Sequence, residues 1–147
     1  MTRLRDETME GKSGEIGVHR VRIENKMKNA LELLRELCRW EFRERKAEAA
    51  AALLSKDVRV IGTSDARLIQ SRAQALAYLK REVAQMAGPC QVNLSEESLT
   101  MMGENASVAC AHIALESDDV AVAMRVSASA GVEDGDFSLF LMIVLEC

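Results

Sequence analysis

The chain has 147 residues, with 19 basic and 23 acidic side chains and a formal charge of −4, the size of one ordinary domain and long enough to bury a substantial core. The charge is uneven: residues 1–46 carry 12 basic and 9 acidic side chains, for +3, and residues 47–147 carry 7 and 14, for −7. That acidic part repels a phosphate backbone, and one Trp, one Tyr and three Phe are too few for a base-stacking platform, so nucleic acid is not an expected partner.

Four cysteines, Cys38, Cys90, Cys110 and Cys147, stand far apart with no Cys-x-x-Cys spacing and two histidines beside them. No metal site and no other cofactor is expected, and reduced thiols in a cytoplasmic protein are the plain reading. There is no 18-residue apolar run, and MTRLRDETMEGKSGEIG lacks the apolar stretch of a signal peptide, so no membrane association is expected.

In chain order, residues 1–18 are charged, contain three glycines and lack periodicity, which predicts a loose tail before a single domain over 19–147. Helical order is expected from His19–Arg22. From Ile23 the apolar positions Met27, Ala30, Leu31, Leu34, Leu37 and Cys38 form one stripe, with Trp40 on its flank and an end among Glu44–Lys46. Ala47–Leu54 predicts a short helix and Val58–Ile61 a strand, with a brief second strand over Ala66–Gln70. Ser71 suits an N-cap, with Gln74 completing a capping-box pattern for a helix whose stripe is Leu76, Leu79, Val83 and Met86 and which Gly88-Pro89 stops.

The last part predicts four antiparallel strands: Gln91–Met102, Asn105–Glu116, Val120–Val132 and Phe137–Cys147. Two-residue turns at Gly103-Glu104, Asp118-Asp119 and Asp134-Gly135 set a register that places Ser95 opposite His112, and Arg125 between His112 and Val144 with Glu146 diagonal to it. One face then collects Ser95, Glu97, Cys110, His112, Arg125, Ser127, Met142 and Glu146. The other holds Ile113, Leu115, Met124, Val126, Leu139, Leu141, Ile143 and Leu145, among others, and is apolar enough to seat helices.

This layout resembles the nuclear transport factor 2-like superfamily, its SnoaL-like and polyketide-cyclase-like branch included. The residues that carry the likeness are the Leu-rich first helix with Trp40, the run Leu53–Thr63, the Ser71-Arg72 helix entry, and Arg125–Ala128 one hairpin before the last strand. The resemblance implies an α+β cone, a curved and mostly antiparallel sheet wrapped by three helices. The same architecture serves ketosteroid isomerase, scytalone dehydratase and polyketide cyclases, and small sensory or accessory domains. Members of this subtype often open the last strand with Trp and carry His residues further along it. Here Phe137, Leu141 and Ile143 stand at those positions, and no general base matching the isomerase branch is found, which points away from catalysis.

The resemblance and the apolar strands together place Trp40, Tyr78, Met124 and Ile143 around a mainly apolar ligand pocket. Arg125, in an otherwise apolar strand, needs a partner, and Glu146 serves as a structural one; a ligand carboxylate is the sharper alternative. His112 titrates near neutrality but has no nucleophile or carboxylate fixed beside it by sequence, so it reads as structural. Ser95, Cys110, His112, Arg125, Ser127 and Glu146 mix with methyl-rich neighbours on a face that suits a homodimer contact. The expected function is a non-catalytic, small-molecule-binding or sensory domain acting as a homodimer. The alternatives are a small lyase or isomerase on a hydrophobic substrate, and an interaction domain whose pocket is vestigial.

Overall fold

The computed structural model describes residues 28–62, 68–119 and 121–146. The expected tail and helical start over residues 1–27 lie outside the described residues. The first helix of the described residues, α1 (Ala30–Cys38), begins later than the hydrophobic stripe implies, because Asn29 caps it. The Asn29 side chain accepts from Glu32 N at 2.9 Å while Asn29 N donates back to the Glu32 carboxylate at 3.0 Å, a reciprocal cap that fixes where the helix starts. Ala30 N donates to the Ser107 hydroxyl at 2.8 Å, 77 residues away, so a strand supplies a further acceptor for the free N–H groups of the helix end.

Beyond Cys38 the helix widens into a π-helical turn, Arg39–Arg43. It ends at Arg45, whose φ of 57° turns the chain into α2 (Ala47–Ala51). The strand β1 (Leu54–Gly62) starts earlier than Val58 and is followed by β2 (Leu68–Ile69). Ser71 then caps α3 (Arg72–Gln85) by accepting from Gln74 N. The Gln74 side chain reaches Gln70 N instead of Ser71 N, so the expected capping box is displaced by one residue.

Four long strands complete the chain: β3 (Gln91–Met101), β4 (Ser107–Glu116), β5 (Ala121–Glu133) and β6 (Asp136–Glu146). Sheet order is β2-β1-β6-β5-β4-β3, with β1 and β6 parallel and every other pair antiparallel. The three helices of the described residues pack on one face of this open, curved sheet, the α+β cone expected from the sequence. Among the described residues no helix is long and apolar enough to cross a membrane.

Most of the register follows the turns. His112 faces Arg125, and Ser95 faces His112, as the numbering predicts. The second pairing arises differently, however. The β3–β4 connection spans Met102–Ala106, closed by Met102 N donating to Ala106 O at 2.8 Å, one residue more than the expected turn. A β-bulge between Ser95 and Ser98, with Glu96 at φ 51°, restores the register.

The last strand departs from expectation. Asp134 (φ 51°) and Gly135 (φ 83°) form the expected two-residue turn, the left-handed pair a tight hairpin requires. Pairing runs in the expected register through Ala130 with Leu139, then slips so that Ser129 faces Leu141 and Arg125 faces Leu145. Phe140 is the extra residue. It lies against Gly131, where an added Cβ would come within 3.3 Å of its ring. A one-residue slip exchanges the faces of all that follows. Met142 and Val144 turn toward the helices, whereas Leu141, Ile143 and Leu145 turn away.

The core packs α1 against small sheet residues. Leu33 and Leu34 sit among Ala109, Ala111, Ala128 and Ala130, all 4% exposed or less, and these short side chains let the helix approach the sheet closely. Ser107→Ala should leave the buried Ala30 N–H without its acceptor and lower stability by about 1–3 kcal/mol, against about 1 kcal/mol for Asn29→Ala at the half-exposed cap. Urea unfolding measures both, and a Ser107→Ala loss within about 0.5 kcal/mol of zero would show that the strand does not anchor the helix.

Candidate functional site

Where α1 leaves the alanine-floored end, the sheet carries larger side chains and curls away, and a cavity of about 550 Å³ opens between the helices and the concave face. Its apolar lining includes Leu37 and Phe42 from the first helical stretch, Leu79 from α3, and Ile113, Met124 and Met142 from the sheet. Cys90 N donates to Phe42 O at 2.9 Å and the Arg45 guanidinium to Met86 O at 3.3 Å, joining the π-helical turn to the chain beyond α3. Met86, Ala87, Gly88 and Cys90 close that side of the cavity.

Into this apolar space project two carboxyl groups side by side. Glu41, from the π-helical turn, is 7% exposed and lines the cavity with Glu82 of α3. Burial pushes the Glu41 carboxyl well above the usual carboxylate range, and the hydrogen bond it shares with Glu82 raises it further, followed by the repulsion of that second charge. Burial beside a second carboxyl group therefore favours the protonated form of Glu41. Tyr78, one turn before Glu82, donates its phenol to the Glu82 carboxylate at 2.9 Å. Cys38 lies beside the group with its thiol pushed up to about 12, by burial first and by Glu41 second, and is unsuited to nucleophilic attack.

Asp119 and Glu146 stand in the lining nearer the strand ends, and among the described residues no Lys, Arg or His lines the cavity. A hydrogen-bonded acid pair in an apolar enclosure can donate or accept a proton, or hold a cation. Among the described residues no group of three or more His, Cys, Asp or Glu is arranged to hold a metal ion.

Of the residues singled out by sequence for the pocket, Tyr78 and Met124 line the cavity. Trp40 is half-buried on the flank of the π-helical turn, with the Arg39 guanidinium 4.5 Å from its ring centre, and stands outside the lining. Ile143 also stands outside it, because the Phe140 bulge turns it to the opposite face, beside Ser127 and Ile61. The inward positions of the last strand are Met142, Val144 and Glu146, not Leu141 and Ile143.

The other polar candidates divide between faces. Ser95, Cys110, His112, Arg125 and Ser127 share the outer face, with Cys110 Sγ 3.4 Å from Ser127 Oγ. Glu146 lines the cavity instead. Arg125 pairs with Glu96 at 2.6 Å, an exposed contact that the β3 bulge makes possible and that lowers the Glu96 carboxyl. Glu97, next along the bulge, leaves the outer face and forms a two-pronged pair with Arg35 of α1 at 2.8 and 3.0 Å.

Sequence reasoning passed over Glu41 and Glu82. Both interrupt an apolar stripe: Glu41 falls three residues after Cys38 and four after Leu37, and Glu82 three after Leu79. A carboxylate at a core position of a helical stripe is the signal that was available.

The SnoaL-like domain family matches residues 30–139. A comparison with curated proteins gives no match. Among solved structures, the chain is similar to an NTF2-like protein of unknown function from Pseudomonas putida (TM-score 0.67, 14% identity, covering 88% of this chain and 84% of that one). It is similar too to an NTF2-like protein with a cystatin-like fold from Novosphingobium aromaticivorans (0.67, 15%, 88% and 86%). A third likeness is to a proposed ketosteroid isomerase from Parabacteroides distasonis (0.64, 13%, 80% and 84%). At these identities the likeness establishes the cone-shaped fold.

Glu41 predicts a pH signature. Its folded-state proton is held more tightly than the ordinary value of 4.5 allows, so its contribution is fully present below that pH and is lost as pH rises through the folded value. Glu41→Gln removes this loss. Urea unfolding should find the variant more stable than the wild type at pH 8, by about 1 kcal/mol or more, with the gap narrowing toward pH 5. Stabilities that stay parallel across that range would show that Glu41 is not held protonated by the cavity.

Proposed function

The chain belongs to the SnoaL-like domain family, and from that membership together with the cavity we propose that it is a small-molecule-binding domain which encloses a mainly apolar ligand and works as a homodimer. The observation that carries this is the open volume itself. About 550 Å³ bounded largely by Leu, Ile, Val, Met and Phe side chains is the size and character of a ligand site, and a vestigial pocket would be filled by its own side chains.

The outer face supports the assembly. The Phe140 slip places Leu141, Ile143 and Leu145 there, and Ile61 of β1 lies beside Ile143. Ile61, Leu141 and Leu145 are 43%, 37% and 47% exposed. An apolar strip in the middle of a sheet face, bordered by Arg125, His112 and Ser127, matches a self-complementary contact across a two-fold axis. The apolar strip, more than the exposed Arg125–Glu96 pair, carries the association.

A second reading, a lyase or isomerase acting on a hydrophobic substrate, is favoured by Glu41 and Glu82, since a buried carboxyl held above its ordinary range beside an apolar site is suited to general acid–base work. Native mass spectrometry of the intact protein, with and without 1-adamantanol as a compact apolar probe, tests the binding reading. One probe or one co-purified molecule per chain is expected, lost in Met124→Trp, which fills the cavity. A wild type that carries nothing and takes up no probe would overturn it. Sedimentation at micromolar concentration should give a dimer for the wild type, a monomer for Leu145→Asp and a largely intact dimer for Arg125→Ala; a monomeric wild type removes the assembly from the proposal.

A further inference from the structure

Resting on the reading of the cavity as a ligand site, we infer that its ligand is a protonated amine on an apolar body, with the ammonium group seated between Glu41 and Glu82. Three observations lead there. The first is the sign of the lining: Glu41, Glu82, Asp119 and Glu146 all bound the space, and among the described residues no Lys, Arg or His does. A carboxylate or phosphate ligand would enter a field of its own sign without a guanidinium or ammonium to meet it.

The second is how Glu41 is satisfied. Buried carboxyl groups are ordinarily paired with a cation or with several N–H donors. Among the described residues Glu41 has neither, and Glu82, itself an acid, is its hydrogen-bond partner. A cation placed there would meet both carboxyl groups. The third is the shape of the pair. An ammonium group offers three N–H donors, enough to serve both carboxylates at once, while the Tyr78 phenol holds the Glu82 carboxylate in place. Leu37, Met124, Met142 and Val144 then surround the ligand's carbon frame.

The exchange balances without a redox partner. The amine arrives as R–NH₃⁺ and keeps its three protons, the proton that burial favours on Glu41 leaves to solvent, and no covalent bond to carbon forms or breaks. The titratable groups that share the cavity with Glu41 among the described residues are Cys38, Tyr78, Glu82, Cys90, Asp119 and Glu146. No Lys or His is among them, and the displaced proton is expected in the buffer.

Isothermal titration of the intact protein at neutral pH with 1-adamantylamine, 1-adamantanol and adamantane-1-carboxylate holds shape constant and varies charge. The amine is expected to bind about tenfold or more tighter than the alcohol, with the carboxylate weakest. Titrations in two buffers of different ionisation enthalpy should show net proton release with the amine and none with the alcohol. Glu41→Gln should bring the amine to within about twofold of the alcohol, with the fold of the variant checked by its urea unfolding transition. Alcohol binding equal to or tighter than the amine, or an amine preference that survives Glu41→Gln, overturns the inference and leaves the cavity reading standing. Failure of all three probes to bind overturns both.

Discussion

One unpaired residue in the last strand decides what this protein presents on each side of its sheet. Phe140 has no partner in the β5–β6 ladder, and the pairing on either side of it differs by one. Because side chains alternate across a strand, that single insertion exchanges inside for outside over the remaining length of β6. Without it, Leu141, Ile143 and Leu145 would face α1 and α3, and Met142, Val144 and Glu146 would face away. The cavity would lose a carboxylate and two of its walls. The outer face would lose the apolar strip on which the proposed dimer contact rests.

The bulge has a place because Gly131 gives it one. The ring of Phe140 occupies the space where a Cβ would project, so a larger residue at 131 would push the ring away. The same economy of volume shapes the floor of the cone. Four alanines beneath Leu33 and Leu34 let α1 sit close to the sheet at one end, and Ile113, Leu115, Met124 and Met142 meet the diverging helices at the other. The cavity is the consequence of that taper: the helix is straight, the sheet curves away from it, and the side chains there do not fill the gap.

Much of the architecture was legible from local chemistry. Asp134-Gly135 fixed the final hairpin, Ser71 the start of α3, and the alternation from Val108 to Leu115 the buried face of β4. These signals are strong because each is settled by two to four neighbouring residues. The start of α1 was legible but passed over, since Asn29 and Glu32 form a capping box inside a longer apolar periodicity that seemed to continue the helix backward. Bulges were harder. The β3 bulge escaped notice because a longer turn offset it, so the Ser95–His112 pairing was reached from two compensating differences. The β6 bulge had one sequence signal, a glycine within a strand, and its effect on the far end of the chain depends on a ring packing that a linear pattern does not display. The error then propagated into the candidate site: Ile143 was placed in the pocket and Glu146 beside Arg125, each on the wrong side of the sheet.

The acid pair was missed for a different reason, and it is the more informative one. A helical stripe is read by its apolar members, and a glutamate on the stripe is passed over as a tolerated exception. For Glu41 the exception is costly in physical terms. A leucine or glutamine there would satisfy the same backbone and the same packing without desolvating a carboxyl group beside a second one. Among the described residues no basic side chain lines the space, and the group that meets Glu41 is another acid. Contrast Glu133, still more remote in sequence from its partners, which accepts from the Ser55 hydroxyl and from Lys56 N and is lowered accordingly; that carboxylate ties a strand to a hairpin and is accounted for by the fold. Glu41 is not accounted for by the fold. A position that opposes packing, polar satisfaction and local electrostatics at once is where the demands of a site, and not those of folding, set the residue.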